Sequence, residues 1–118
     1  MAKILVVDDT DIVLFATEQT LIRCGHVVSI ASNGVEALEL WDSTFDLLLT
    51  DRDMPQMGGR ELIRCLIGHG ETRPIILMTG DHQLYEREVL SWGAAALLYK
   101  PFELNKLISI IDRLLSPT

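Results

Sequence analysis

The sequence is poor in cysteine, in aromatic residues and in positive charge, and it contains no long apolar run. Each shortage closes off a class of function. The two cysteines, Cys24 and Cys65, stand far apart and outside CxxC spacing, so they read as buried, reduced thiols of a cytosolic protein. His26, His69 and His82 show no metal-ligand spacing and read as loop or surface residues. No apolar run approaches membrane-spanning length, and Met1-Ala2-Lys3 leads into only a short apolar stretch before Asp8, which is no signal peptide. The expectation is a cytoplasmic protein with no membrane contact. Ten Lys and Arg residues face seventeen Asp and Glu residues, a net charge of −7. Such a surface repels phosphate backbones, so direct nucleic-acid binding is not expected. The same excess favours divalent cations wherever carboxylates cluster.

What is present fits one core. A chain of 118 residues, 48% hydrophobic and 23% charged, has the size and composition of a single compact domain over 1–118, with 116–118 as a terminus or the start of a linker. Repeats and low-complexity segments are absent from the sequence.

The organising stretch is Leu47-Leu48-Leu49-Thr50-Asp51-Arg52-Asp53-Met54-Pro55. An apolar run of strand length drives into a carboxylate, and Pro55 and Gly58-Gly59 then force a loop. This predicts a buried strand, 46–50, whose end presents Asp51 to solvent. Ile4-Leu5-Val6-Val7 is a continuous strand ending at Asp8-Asp9. Thr10 or Asp11 caps a first helix that runs to about Cys24. Further strands are expected at 27–31, 74–79 and 96–99, and further helices at 35–43, 59–67, 81–92 and 103–115. Strands alternating with helices predict an α/β fold with a parallel sheet and helices on both faces. Right-handed crossovers then bring the C-terminal ends of all strands to one edge. That edge receives Asp8, Asp9, Asp51, Thr79 and Lys100.

Carboxylates held close repel unless a cation neutralises them. All-oxygen ligands suit Mg²⁺ or Mn²⁺. Asp51 can then act as a carboxylate nucleophile toward phosphorus, with the metal and Lys100 neutralising charge on the transferring group and Thr79 hydrogen-bonding one of its oxygens. Singly, each residue has an ordinary structural reading: Asp8 or Asp9 as a cap, Lys100 as a solvated strand end, Thr79 as a β-former. Their convergence on one edge favours the functional one.

With these motifs in hand, the chain resembles the receiver domains of two-component response regulators along essentially its whole length. The resemblance rests on Val6-Val7-Asp8-Asp9, Asn33-Gly34-Val35-Glu36-Ala37-Leu38, the run Thr50 to Gly59, Thr79-Gly80 and Lys100-Pro101-Phe102. It implies a flavodoxin-like doubly wound (βα)5 fold with strand order 2-1-3-4-5. It implies that Asp51 accepts a phosphoryl group from a phosphohistidine of a histidine kinase or histidine phosphotransfer protein and later loses it by autodephosphorylation. It implies Mg²⁺ held by Asp9, Asp51 and the Asp53 backbone carbonyl, with Asp8 acting through water. It implies Lys100 on the phosphoryl group and a cis peptide before Pro101, and a downstream protein effector or an output domain outside this chain.

One departure stands out. The resemblance implies an aromatic switch residue three positions before the lysine, where this chain has Leu97; Tyr99 is expected on the same strand face. Asp53 and Asp81 lie two residues beyond Asp51 and Thr79. Such positions affect how long a phosphoryl group persists in the family, with no sign fixed by sequence; Asp81 also reads as an N-cap. On the first helix, Val13, Ala16, Thr17, Thr20, Leu21 and Cys24 are expected to face the sheet. Exposed apolar residues opposite that face suit a partner, another copy or a missing domain; the resemblance implies that this helix docks the phosphoryl donor, so Phe15, with Ile12 or Leu14, is the expected docking patch. A stand-alone relay and a piece of a longer regulator both fit the sequence. A competing enzyme reading comes from Asp51-Arg52-Asp53, which resembles the DxD motif of Mg²⁺-dependent haloacid-dehalogenase-type phosphatases. Pro55 stands where those place Thr, and the chain has no room for their substrate cap.

Overall fold

The structure, a computed structural model, describes residues 1–116; residues 117 and 118 of the expected terminus lie outside the described residues. In chain order the elements are β1 (Lys3–Val7), α1 (Asp11–Arg23), β2 (Val27–Ala31), α2 (Gly34–Leu40), β3 (Leu47–Asp51), α3 (Gly59–Gly68), β4 (Ile75–Thr79), α4 (Glu86–Ser91), β5 (Ala96–Tyr99) and α5 (Leu104–Leu115). The strands form one parallel sheet, as the alternating pattern predicts, of order β2-β1-β3-β4-β5, as the resemblance implies.

The apolar strands supply both faces of that sheet. Leu5, Val7, Leu48, Ile75, Leu77 and Leu97 pack toward α2, α3 and α4, where Ala37, Leu62, Ile63 and Val89 meet them. Ile4, Val6, Leu47, Leu49, Ile76 and Met78 pack toward α1 and α5, against Leu14, Leu21, Leu107 and Ile111. Continuous apolar runs belong in strands covered twice. Each fully buried Leu or Ile contributes about 1.5–3 kcal/mol, so the sheet is a stiff base for the loops at its edge.

Several expectations shift. β3 runs one residue later than predicted and includes Asp51. α2 is shorter than 35–43: the Asn33 side chain accepts from Glu36 N and starts the helix at Gly34, and the backbone turns extended at Trp41. α4 begins at Glu86 rather than at Asp81, because the intervening residues first close a turn in which Leu84 N donates to Asp81 O and Gln83 N to Asp81 Oδ1. Asp81 is therefore not the cap of α4. On α1 the buried positions are Leu14, Thr17, Thr20 and Leu21. Ala16 and Cys24 are exposed and Cys65 is half-buried, against expectation. Leu14, expected on the outer flank, is 7% exposed and belongs to the core. The stripe 14, 17, 21 keeps helical spacing but is rotated from the one predicted.

Candidate functional site

The C-terminal edge of the sheet brings together the side chains the sequence singled out. β1 ends at Val7, and Asp8 follows with its N–H donating to Ala31 O at 3.1 Å. Asp8 is completely buried; Oδ1 accepts from Thr10 N at 2.9 Å and Oδ2 from Lys100 Nζ at 2.7 Å. Lys100 Nζ also lies 3.2 Å from Asp51 Oδ1. The ammonium thus bridges the ends of β1 and β3, and its main chain is fixed by Lys100 N donating to Thr79 O at 2.7 Å. The Lys100–Pro101 peptide is cis, as expected.

Asp51 is expected at the surface but is only 6% exposed, so it forms the floor of a pocket. The loop behind it is drawn in tightly. Gly59 N donates to Arg52 O at 2.8 Å, and a Cβ at Gly59 would collide with Asp51 O and with Leu77. Gly34 N donates to Met57 O at 3.0 Å, and a Cβ there would strike Met57. The Asn33-Gly34 motif therefore braces the loop that follows Asp51.

Burial raises the Asp51 pKa above the ordinary carboxylate value; Lys100 opposes the shift and the Asp8 charge adds to it. For Lys100, burial alone would lower the pKa. Its bond to Asp8 and the charges of Asp51 and Asp8 outweigh that, so the ammonium is held more firmly than usual. Thr79 is fully buried, and its Oγ1 accepts from Asp81 N at 3.1 Å.

One carboxylate oxygen from each of Asp8, Asp9 and Asp51 lies within 4.8 Å of the others. Asp9 is exposed at the rim while Asp8 and Asp51 lie below. This all-oxygen set fits Mg²⁺ or Mn²⁺. Against three carboxylates the structure sets a single ammonium, so a divalent cation also suits the residual charge.

The model of the response regulator receiver domain family matches residues 4–112. The chain belongs to that family. Among relatives of this receiver domain, response regulator MprA of Mycobacterium tuberculosis (strain H37Rv) is 38% identical over 118 residues, covering 98% of this chain and 51% of the relative. MprA of Mycobacterium avium is 37% identical over 98% of this chain and 52% of its own. The chain spans about half the length of these curated relatives. Among solved structures, the receiver domain of Francisella response regulator 1452 superposes with a TM-score of 0.91 at 28% identity, covering 97% of this chain and 96% of that one. Chemotaxis protein CheY4 of Vibrio cholerae gives 0.86 at 30% identity over 98% and 99%. TrrA of Thermotoga maritima, in complex with Mg²⁺ and BeF, gives 0.87 at 30% identity over 98% and 100%.

Within this receiver domain, Leu97 is buried in the sheet core at 6% exposure. Tyr99 shares its face, as expected, and pairs in register with Thr79. Its hydroxyl donates to Leu84 O at 2.5 Å, and the His82 ring stacks on it with centroids 5.0 Å apart. Of the expected docking patch, Ile12 is 81% and Phe15 63% exposed, while Leu14 is removed by its burial. Asp53 is exposed, and its one ion pair among the described residues is with Arg52, at 4.0 Å. The sequence reading missed the Arg52–Asp81 ion pair, Nη1 to Oδ2 at 2.8 Å. Only the opposite charges at 52 and 81 hinted at it, and pairing them requires knowing that the loops after β3 and β4 are neighbours.

Proposed function

We propose that this receiver domain carries a phosphoryl group on Asp51, taken from the phosphohistidine of a histidine kinase or histidine phosphotransfer protein. One observation carries the reading: the ionised Lys100 is bonded at once to Asp8 and Asp51 beneath the carboxylate triad. An Asp51 oxygen attacks phosphorus, the P–N bond to the donor imidazole breaks, and the electron pair leaves with that nitrogen, which takes a proton. Lys100 meets the negative charge on the phosphoryl oxygens as it arrives, held in place by Asp8. The Thr79 hydroxyl turns from accepting the Asp81 N–H to donating to a phosphoryl oxygen. Asp8, Asp9, Asp51 and the Asp53 carbonyl are the proposed holders of Mg²⁺, which when bound supplies the remaining positive charge.

The donor is proposed to dock on the outer side of α1. Ile12 lines a groove of about 460 Å³ with Val13, Ala16, Lys100, Phe102 and Leu104. Phe15 stands exposed nearby on the same helix. Phosphorylation adds up to about two negative charges at the edge. The proposed consequence is altered binding to a downstream effector or to an output domain. Residues 1–118 are proposed to act as one receiver unit within the cytoplasm. Incubation with acetyl phosphate and Mg²⁺ should add one phosphoryl group to the wild-type chain and none to Asp51→Asn, read by intact mass. Continuous turnover of a phosphate ester without a labelled chain would overturn the reading in favour of a phosphohydrolase.

A further inference from the structure

A groove between α3 and α4 concentrates positive charge on a chain whose net charge is −7. It holds about 270 Å³ and is lined by Arg60 and Arg64 of α3 and by Ser91 and Trp92 at the end of α4. The two helices meet closely there. Gly93 follows Trp92 with φ +110°, and a Cβ on it would strike Ile67 of α3. Trp92 N donates to Glu88 O at 3.2 Å and to Val89 O at 3.1 Å, which fixes the backbone that carries the indole. The Arg60 guanidinium lies over that indole, 4.9 Å from the ring centroid. Arg60 and Arg64 are exposed, and neither forms an ion pair among the described residues. Glu61, Glu86 and Glu88 stand on the same two helices, but none of them lines the groove. Like charges one helical turn apart work against the helix, and an anion between them removes that repulsion.

We propose that this groove docks a short acidic segment of a partner protein, with an Asp or Glu carboxylate between the two guanidinium groups and an apolar neighbour against the indole. The planar fork of a guanidinium matches a carboxylate in two parallel hydrogen bonds. Stacking already orients the Arg60 fork, so less side-chain freedom is lost when the carboxylate arrives. The volume is below the roughly 300–1,000 Å³ of small-molecule pockets, and it suits one or two side chains. The charge outside the groove is predominantly negative, which repels an extended polyanion such as nucleic acid and confines an acidic protein to a short, local contact. The groove also lies on the sheet face opposite to α1, because α3 and α4 pack on one face and α1 and α5 on the other. The acidic partner and a phosphoryl donor on α1 can therefore be held together. The contact does not depend on the acceptor role of Asp51.

The probe is a short dye-labelled peptide of alternating glutamate and leucine, with glutamine replacing glutamate in its control, titrated with the unphosphorylated chain by fluorescence anisotropy. The wild type should bind the acidic peptide and not the control, and should bind it less tightly as salt rises. Arg60→Gln and Arg64→Gln should each weaken binding about tenfold. Both side chains are exposed, so both variants should keep the wild-type melting temperature. Equal affinity of the wild type for the two peptides, affinity for neither, or unchanged affinity in both variants overturns the proposal. Weaker binding that appears only in step with a lower melting temperature overturns it too. Displacement of the peptide by inorganic phosphate at the peptide's own concentration would assign the groove to phosphate instead. A wild-type dimer in sedimentation that Arg60→Gln dissolves would assign it to a second copy of this chain; either result refutes an acidic partner segment.

Discussion

Replacing Asp51 by Asn is expected to stabilise the metal-free fold at neutral pH, although it removes a partner of Lys100. Carboxylate oxygens of Asp8 and Asp51 lie within 4.8 Å; at an effective dielectric of about 20, like charges at that separation repel by about 3.5 kcal/mol. Asp9 is exposed, and water reduces its share to about 1 kcal/mol. The Lys100 ammonium, 3.2 Å from Asp51, contributes about 5 kcal/mol of attraction on the same scale. The charge interactions nearly cancel, so the desolvation of a carboxylate that is 8% exposed decides the sign. This agrees with the raised pKa. Asn keeps the shape and drops the charge, while Lys100 retains its 2.7 Å bond to Asp8. A gain of about 1–2 kcal/mol is expected after relaxation, or a rise in Tm of about 4–8 °C.

The assay is thermal unfolding followed by circular dichroism in EDTA at pH 7. Because the folded pKa of Asp51 is raised, the folded state holds its proton more tightly than the unfolded chain. The wild type therefore loses stability as pH rises through the window between the ordinary and the raised value, and the gap to Asp51→Asn should shrink as pH falls back through it. Magnesium should narrow the gap too, since a ligand at a hundredfold excess over its Kd adds about 2.7 kcal/mol to the form that binds it. An Asp51→Asn chain that melts at or below the wild type in EDTA at pH 7 would refute this accounting.

Lys100→Met leaves Asp8 and Asp51 buried without their common cation and should cost about 3 kcal/mol in EDTA, with magnesium recovering part of it in the same melting assay. Glu71 accepts from Arg73 and from Trp41 Nε1, and its pKa is lowered to about 2. Its stabilisation is complete above the ordinary value of 4.5 and fades as pH falls toward 2; Glu71→Gln should cost about 2 kcal/mol at pH 7 and almost nothing at pH 2, measured by urea unfolding. Phe15→Ser should leave the unfolding free energy within about 0.5 kcal/mol of wild type and spare labelling by acetyl phosphate, yet slow transfer from a phosphorylated histidine kinase; equal loss with both donors would remove Phe15 from the docking surface.

How much of this was legible beforehand follows from the physics of each signal. The strands were, since apolar runs such as Ile75-Ile76-Leu77-Met78 leave few alternatives once both faces are covered. The edge constellation was as well, because Asp8, Asp51, Thr79 and Lys100 each stand at a strand end and parallel topology alone brings such ends together. The start of α4 was not: the turn closed by Asp81 competes with helix initiation, and its support from Arg52 comes from a loop 29 residues away. The α1 face was legible in part: Thr17, Thr20 and Leu21 are buried and Ile12 and Phe15 exposed as expected, but the helix is rotated so that Leu14 turns inward and Ala16 and Cys24 stay exposed, a rotation that helical periodicity alone does not fix. The depth of Asp51 was also invisible, as it depends on how closely Gly59 lets the next helix approach.

The central claim is that Asp51 alone carries the phosphoryl group. After labelling with acetyl phosphate and Mg²⁺, reduction with borohydride converts an acyl phosphate to the corresponding alcohol and marks its position permanently. Peptide mass mapping should then find homoserine at position 51 in the labelled wild-type chain and unmodified aspartates at 8, 9, 53 and 81. A mark on any of those four instead, or a labelled chain with position 51 unchanged, would contradict the account.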